Sequence, residues 1–351
     1  MLRRHIARRS AKNMLTDTLN KLVAGHDLDA LEAESAMRAI MAGEVSAAQM
    51  AAFLVALRMK GETPAEIAAA ARVMRSLMTP VDLPDEHLTD IVGTGGDNAS
   101  TFNVSTAAAL VAATGGARIA KHGNRSVSSR SGSADLLEAA GAKLDLTPAQ
   151  VRAAVEQLGF GFMFAPAHHG AMKYAAPVRR ELGLRTLFNL LGPLTNPARA
   201  PHQVLGVFDR RWLESLARVL GELGSRHVLV VHALDGLDEL SIGAPSQIAE
   251  LQNGNVRMYS IAPEDFGLQR ADLASVRVDS PAESLSLVQR VLGGESGAAA
   301  DFVALNAGAA LYASDIASSL ADGVAQAQRV LASGAALKRL DDYVALTQSF
   351  A

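Results

Sequence analysis

The sequence predicts an α/β protein in two parts: a small, all-helical N-terminal domain and a larger domain built on a mostly parallel sheet. Residues up to about Met78 show only helical patterns, whereas from Leu88 onward short apolar strands alternate with helices. Such alternation is the signature of a parallel sheet covered on both faces. A stretch with proline at each end, Pro80 to Pro84, is typical of a linker. We therefore assign residues 14–84 to the helical domain and 85–351 to the α/β domain.

The helical part is predicted from capping boxes and an apolar stripe. Ser46 with Gln49 and Thr63 with Glu66 have capping-box spacing, and Pro64 takes the first helical position after Thr63. Between them, apolar residues recur at spacings of three and four: Met50, Phe53, Leu54 and Leu57. One apolar stripe per helix predicts a small bundle, with the stripe in its core or at a subunit interface.

The α/β part is predicted to contain strands near residues 89–92, 118–120, 143–146, 160–164, 203–208 and 227–233. A capping box at Thr147 begins one of the intervening helices. Asn253-Gly254 separates two short β-like runs, so we expect a hairpin there. Alanine-rich helices are expected from Pro281 to Gln348.

Composition excludes several classes of function. The 351 residues are 49% hydrophobic and 20% charged with a net charge of −3, so a large core is possible and no overall attraction for nucleic acid is expected. The absence of cysteine excludes disulfides, thiol catalysis and thiolate metal sites. No apolar run of membrane-spanning length or secretory pattern occurs, so we expect a cytoplasmic protein with no membrane partner.

Residues 1–13 form a basic extension that we expect to be disordered. It is interpreted as a disordered arm, an organelle presequence, or the product of a start codon assigned upstream of Met14. We favour the last interpretation, because the motifs described below belong to a pattern that begins just after Met14.

The most informative stretch runs from Asp90 to Asp135. A short strand ends in the glycine turn 93–97, and an apolar helix starts near Ser105. Glycine lets the backbone approach an anion closely, and the free N–H groups of a helix N-terminus favour negative charge. One strand later, residues 121–133 carry Lys, Arg and five serines with little apolar content. Neighbouring parallel strands deliver the loops that follow them to the same edge of a sheet, so the two loops together predict a polyphosphate site.

Six motifs occur in order along the chain: GTGGD (93–97), NVST (103–106), KHGNRSVSSRSGSAD (121–135), PVRREL (177–182), NLLGPLTNP (189–197) and DGLDE (235–239). From about Leu15 to the C-terminus the sequence resembles the anthranilate phosphoribosyltransferase family. The resemblance implies a nucleoside phosphorylase-like fold. It also implies transfer of the phosphoribosyl group of 5-phosphoribosyl-1-diphosphate to the amine of anthranilate, with release of diphosphate, in tryptophan biosynthesis.

One segment does not fit the alternation of strands and helices. Residues 168–183 are predicted to form a helix interrupted at Pro177, and no strand precedes Asn189. The family resemblance implies that a segment of about 168–195 returns to the helical domain and that the connections act as a hinge. It also implies a homodimer formed through the helical domain.

The resemblance implies a substrate site without a covalent nucleophile, because an oxocarbenium-like transition state needs mainly positioning and electrostatics. Asp97 is expected to bind the ribose or metal-bound water. The implied substrate-binding residues are Gly93, Gly96, Asp97, Thr101, Asn103, Val104, Ser105, Thr106, Lys121, His122, Gly123, Asn124, Arg125, Ser128, Ser129, Ser133 and Arg179.

A magnesium site is expected beside these residues. Asp238-Glu239 follows the apolar run HVLVVHAL, and an adjacent acidic pair by itself is most often solvated. Mg²⁺ prefers a few carboxylates together with substrate oxygens and water. With a diphosphate substrate, we therefore expect Asp238, Glu239 and Ser105 to ligate Mg²⁺, and two ions per active site match the family pattern.

The acceptor is expected to be bound by Arg179, because a guanidinium can clamp the carboxylate of anthranilate. Arg180 beside it is interpreted as a surface charge, and Asn124 matches the second acceptor contact of the family. Three residues lie where the family lines its aromatic channel: Ala165, Pro166 and His169. His122 and His169 are candidates for assisting proton loss, with a purely structural role equally open for each.

Two alternatives remain open at this point. A pyrimidine nucleoside phosphorylase of the same architecture would need one phosphate site and has no use for the acidic pair. A non-catalytic nucleic-acid-binding protein of this fold would use the basic extension and loops, but the net acidity of the chain opposes it.

Overall fold

The computed structural model of the chain describes residues 14–96, 99–126 and 131–350. These residues divide into two compact units. The helical unit contains the described residues up to Thr79 together with His168–Thr195, and the α/β unit contains Pro80–Ala167 and the described residues from Asn196 onward. An N-terminal helical part followed by an α/β part is the fold class that the sequence predicted.

The helices are numbered α1 to α15 in chain order. They cover 14–23, Ala30–Met41, Ala47–Lys60, Pro64–Leu77, Val104–Thr114, Ser133–Ala139, Pro148–Leu158, Ala165–His168, Ala176–Leu182, Leu187–Leu194, Leu213–Glu222, Pro281–Leu292, Ala298–Ala313, Leu320–Ala332 and Ala335–Ser349. The strands β1 to β7 cover Leu88–Gly93, Arg118–Gly123, Phe160–Phe164, His202–Gly206, His227–Ala233, Ser246–Gln252 and Asn255–Ile261. No helix in the described ranges is long and apolar enough to cross a bilayer.

The helical unit follows the predicted signals closely. The capping boxes of α3 and α4 are confirmed: the Ser46 hydroxyl accepts from the Gln49 N–H at 3.2 Å and the Thr63 hydroxyl accepts from the Glu66 N–H at 3.3 Å. The predicted apolar stripe of α3 is buried in the core. Glu66 itself is buried, and its carboxylate accepts from the Leu28 N–H and pairs with Lys60, so one cap also ties the loop before α2 to α3 and α4.

The returning segment is broken differently from the prediction. A 3₁₀ helix covers Gly170–Tyr174, and α9 then starts at Ala176. Pro177 lies in the first turn of α9, so it does not interrupt a helix. The physical reason is that the N–H missing from proline is one that the first helical turn leaves without an intrahelical partner.

In the part of the chain that the structure describes, the α/β unit contains a seven-stranded sheet of order β3-β2-β1-β4-β5-β6-β7. The four strand pairs among β1 to β5 are parallel. The pairs β5–β6 and β6–β7 are antiparallel. Gly93 pairs with Gly206, and Gly123 pairs with Phe164. The carboxyl ends of these parallel strands therefore lie at one edge, where ligands bind in open α/β sheets.

The predicted hairpin is confirmed, and one predicted strand is wrong. Asn253 and Gly254 both have positive φ, at 51° and 76°, which a type I′ hairpin turn between β6 and β7 requires. Residues 143–146 are not a strand. The Lys143 N–H donates to the Thr347 hydroxyl of α15 at 3.1 Å, so this apolar run packs against a helix and adds no ladder to the sheet.

Candidate active site

The carboxyl ends of β1 and β4 form the floor of the candidate site. The Thr94 N–H donates to the Gly206 carbonyl at 2.9 Å, and the Thr94 hydroxyl accepts from the Phe208 N–H at 3.0 Å. Gly95 and Gly96 follow with φ of 70° and 83°, a left-handed conformation that favours glycine. The predicted glycine turn is thus held against the end of the neighbouring strand.

The acidic pair lies directly on this floor. A Cβ added at Gly206 would stand 1.5 Å from the Asp238 carbonyl oxygen, and one added at Gly93 would stand 2.4 Å from Asp238 Oδ2. That same Oδ2 accepts from the Gly95 N–H at 2.6 Å. Only glycine permits so close an approach, and the sequence motif therefore serves the carboxylate of Asp238 as well as any phosphate.

Glu239 occupies the start of α5 in a similar way. Its Oε1 accepts from the Ser105 N–H at 3.2 Å, in the first turn of the helix, where negative charge is stabilised. The two neighbouring carboxylates thus each contact a backbone N–H that the sequence predicted for anion binding. The carboxylates of the acidic pair and the Ser105 hydroxyl lie together at the glycine turn, and hard oxygen donors of this kind suit Mg²⁺.

Lys121 is buried at the centre of this cluster, with 2% of its surface exposed. Its Nζ donates to the Ile91 carbonyl and to the Ser105 hydroxyl. Burial lowers the pKa of Lys121, while Asp90, Glu239 and Asp238 oppose that shift. Burial raises the pKa of Asp90 to about 6, although the positive charge of Lys121 acts to lower that pKa. The two buried groups therefore attract each other electrostatically from the adjacent strands β1 and β2.

Asn103 links the two predicted phosphate loops. Its Oδ1 accepts from the hydroxyls of Ser131 and Ser284, each at 2.7 Å, and its Nδ2 donates to the Ser131 carbonyl at 3.1 Å. The predicted ligand is therefore also a structural clamp between the glycine turn, the serine loop and α12. Ser284 carries no sequence signal, because its partners lie 181 positions away.

The serine loop is shaped by an aspartate that the prediction did not assign to the site. Asp135 Oδ2 accepts from the N–H groups of Ser126 at 2.9 Å and Gly132 at 2.8 Å. Arg125 pairs with Glu138 and lies 5.5 Å from the centre of the Phe164 ring. Its charge is therefore already partnered at the surface. The available signal was the acidic residue at the end of the motif 121–135, because a carboxylate at the third position of a helix reaches back to the N–H of the N-cap residue.

The remaining predicted residues are placed as follows. Val104, Thr106 and His122 are buried. Thr101 forms an isolated antiparallel β-bridge with Arg277. The Ser133 hydroxyl donates to the Asn124 carbonyl at 3.4 Å. A Cβ at Gly123 would stand 2.2 Å from the Ser133 hydroxyl. The predicted residues Asp97, Ser128 and Ser129 lie outside the described residues.

Arg179 lies in the helical unit, on α9, with its guanidinium 5.3 Å from the centre of the Phe188 ring. Burial lowers its pKa, and within residues 14–96, 99–126 and 131–350 no carboxylate forms an ion pair with it. Arg180 is exposed, as predicted. His169 is buried in the same unit, and desolvation lowers its pKa to about 4, so its imidazole is neutral near pH 7.

Two family models match the chain. The helical bundle domain of a glycosyl transferase family matches residues 16–78, and the a/b domain of a glycosyl transferase family matches residues 85–337.

Similar proteins share one name. The chain is 61% identical to an anthranilate phosphoribosyltransferase of Thioalkalivibrio sulfidiphilus, over 92% of this chain and 96% of that protein. It is 55% identical to one of Methylococcus capsulatus, over 96% and 99%. Among solved structures, the Thermus thermophilus enzyme has a TM-score of 0.90 at 51% identity, covering 95% of this chain and all of that one. The Saccharomyces cerevisiae enzyme in complex with PRPP and Mg has a TM-score of 0.86 at 28% identity, covering 96% and 98%.

Proposed function

The chain belongs to the anthranilate phosphoribosyltransferase family, and from that premise we propose how its residues divide the work. The family reaction breaks the C1–O bond of 5-phosphoribosyl-1-diphosphate and forms a C1–N bond to the amine of anthranilate. Its products are N-(5-phosphoribosyl)anthranilate, diphosphate and a proton. The relatives described above are named for neither of the two alternatives that the sequence left open.

The donor is bound by the α/β unit. The observation that carries this assignment is the contact of Asp238 with Gly93 and Gly95, because it places an acidic pair at a turn built for phosphate. Asp238, Glu239 and Ser105 hold Mg²⁺, and two ions per site are part of the proposal. When bound, Mg²⁺ neutralises charge on the leaving diphosphate.

The protein's own groups orient the donor around that cluster. Lys121 supplies a fixed positive charge beside Ser105, and the Asn103 clamp sets the spacing between the glycine turn and the serine loop. Ser128, Ser129 and Ser133 donate hydroxyl hydrogens to phosphate, and Asp97 binds ribose hydroxyls or metal-bound water. Positioning and electrostatics of this kind need no covalent nucleophile.

The acceptor is bound by Arg179. Its guanidinium is half-buried and has no carboxylate ion-pair partner in the described part of the chain, so the carboxylate of anthranilate supplies a counter-charge. Asn124 accepts from the amine. A nitrogen alkylated at C1 becomes strongly acidic, so no dedicated base is required, and neutral His169 contributes to the wall of the acceptor channel.

The proposal also includes the oligomeric state and the cellular location of the protein. The helical unit exposes the apolar side chains of Val23, Leu31 and Met59, and exposed apolar residues on that unit are consistent with a homodimer formed through it. Light scattering on the purified chain tests the dimer, and a monomer at micromolar concentration would refute it. A cytoplasmic location follows from the family's biosynthetic role.

The decisive experiment follows the loss of anthranilate fluorescence with 5-phosphoribosyl-1-diphosphate and Mg²⁺. We expect the double variant Asp238→Asn with Glu239→Gln to lose about 100-fold or more in kcat/KM, together with its response to Mg²⁺. The matched control is Glu264→Gln with Asp265→Asn, an exposed acidic pair elsewhere in the same unit. Full activity of the first double variant would show that the acidic pair is not the metal site.

A further inference from the structure

Three metal-ligating side chains gather at the end of the sheet opposite the candidate active site. His202 and His227 are the first residues of β4 and β5 and pair directly in register. Asp315 lies in the turn after α13. One ligand atom from each residue lies within 4.8 Å of the others, so the cluster brings together two adjacent strands and a distant turn.

Both histidines direct the same ring nitrogen at the aspartate. His227 Nδ1 lies 3.0 Å from Asp315 Oδ1, and His202 Nδ1 lies 3.9 Å from Asp315 Oδ2. His202 is 4% exposed, and its Nδ1 is a buried atom with no hydrogen-bond partner. Burying such an atom without a partner is costly, so this nitrogen calls for a ligand.

The opposite sides of both rings are already fixed by the protein. His227 Nε2 lies 3.2 Å from Glu250 Oε1, and Glu250 is held by the hydroxyls of Tyr259 at 2.7 Å and Tyr312 at 2.8 Å. The His202 ring is hydrogen-bonded to the backbone of Ala313. Metal-ligating histidines have this support, because a carboxylate or carbonyl on the far nitrogen fixes the tautomer and the ring orientation.

We propose that His202 Nδ1, His227 Nδ1 and the Asp315 carboxylate bind a divalent first-row transition metal ion such as Zn²⁺. Imidazole and carboxylate suit such ions, and with bonds of about 2.1 Å the ligand atoms would lie about 3.4 Å apart. Asp315 is 57% exposed, so its side chain has room to adjust toward the two rings. Water completes the coordination from a cleft of about 330 Å³ lined partly by Arg226, Gln252 and Asn253.

The surrounding charges are balanced without the three ligands. Arg226 pairs with Asp85 at 2.7 Å, and Arg257 pairs with Glu250 at 2.9 Å. An ion pair of protonated His227 with Asp315 and Glu250 is the competing explanation. It accounts for His227 but leaves the buried Nδ1 of His202 without a hydrogen-bond partner. The metal accounts for both rings and fastens the turn after α13 to the sheet.

The test is a Co²⁺ titration of the full chain in excess Mg²⁺, followed by visible absorption and checked by competition with Zn²⁺. Mg²⁺ fills the hard-oxygen site proposed above, so the two metal sites are distinguished. We expect one Co²⁺ per chain and at least about a tenfold loss of affinity in His202→Gln and in Asp315→Asn. His232→Gln is the matched control. His232 lies on β5, the strand of His227, and its Nδ1 lies 2.7 Å from the Val207 carbonyl oxygen.

A second measurement guards against misfolded variants. Zn²⁺ should raise the Tm of the wild-type chain and of His232→Gln, because a ligand that binds only the folded state stabilises it. At the same Zn²⁺ concentration it should raise the Tm of His202→Gln by much less. The proposal is overturned if the wild type binds no Co²⁺, if His202→Gln binds it as tightly as the wild type, or if Asp238→Asn with Glu239→Gln removes the binding.

Discussion

Lys121 of the α/β unit is a buried cation and Arg179 of the helical unit is a half-buried one, and their surroundings differ. Burial lowers the pKa of each. Lys121 is compensated by Asp90, Glu239 and Asp238, whereas Arg179 lies against an aromatic ring and forms no ion pair within the described residues. The protein supplies carboxylates around one cation and, among its described residues, no ion-pair partner for the other.

This difference separates stability from binding. Removing a charge that the fold has compensated leaves its buried partner exposed to the full desolvation cost, so the fold suffers. Removing a charge that the fold has not compensated relieves a desolvation cost, so it should weaken mainly the binding of a ligand. Loss of the cation should therefore lower mainly stability at the proposed donor site and mainly ligand binding at the proposed acceptor site.

The largest effect is expected for Lys121→Met. Asp90 is fully buried and keeps hydrogen bonds from Asn196 at 2.7 Å and from the His122 N–H at 3.1 Å, but it loses its positive partner. We expect the free energy of unfolding to fall by about 3–5 kcal/mol, measured by urea denaturation at pH 7. Adding Asp90→Asn should restore part of that loss, and strictly additive effects of the two substitutions would argue against the charge pair.

An intermediate effect is expected from the pH dependence of His169. Desolvation lowers the pKa of His169 in the folded state from the ordinary 6.5 to about 4. Between these two pH values the unfolded state is protonated at His169 and the folded state is not. The contribution to stability is complete above pH 6.5 and is lost as pH falls toward 4, by up to about 3 kcal/mol at about 1.4 kcal/mol per pH unit.

His169→Asn isolates this contribution. The difference in free energy of unfolding between wild type and His169→Asn should change across pH 4–6.5, whereas the exposed His26→Gln in the same unit should follow the wild type. A pKa near 6.5 for His169 in an NMR titration would contradict the desolvated environment.

The smallest effect on stability is expected for Arg179→Ala, within about 1 kcal/mol. A charge-assisted contact with anthranilate is worth about 1.5–3 kcal/mol, so the KM for anthranilate should rise about 10- to 100-fold. The KM for 5-phosphoribosyl-1-diphosphate should stay within about threefold, and Arg180→Ala should change neither. Equal effects on both substrates would remove Arg179 from the acceptor site.

Much of the fold followed from local patterns. Capping boxes, the Asn253-Gly254 turn and apolar runs bounded by polar turns are decided within a few residues, and the structure has them where expected. The stretch 143–146 failed because an apolar run has the same pattern whether it pairs with a strand or, through Lys143 and Thr347, packs on a helix.

For the candidate site, too, local patterns in the sequence were informative and long-range contacts were not predicted. Motifs located the glycine turn, the serine loop and the acidic pair, because each is contiguous in the chain. The clamp from Asn103 to Ser284 and the cluster of His202, His227 and Asp315 join residues far apart in sequence. Such contacts depend on strand order and register, which a single sequence does not supply.

Asp238 rests on Gly206 and Gly93, so its position is dictated by the ends of two central strands. The preceding turn at Leu234 and Asp235 is exposed, and Gly236, with φ of 98°, has no atom within 4 Å of a Cβ added there. Chain ends or inserted segments are tolerated best at exposed tips of this kind. A segment inserted at this turn would leave Asp238 anchored on the two strand ends, so a reporter placed there would lie next to the candidate active site.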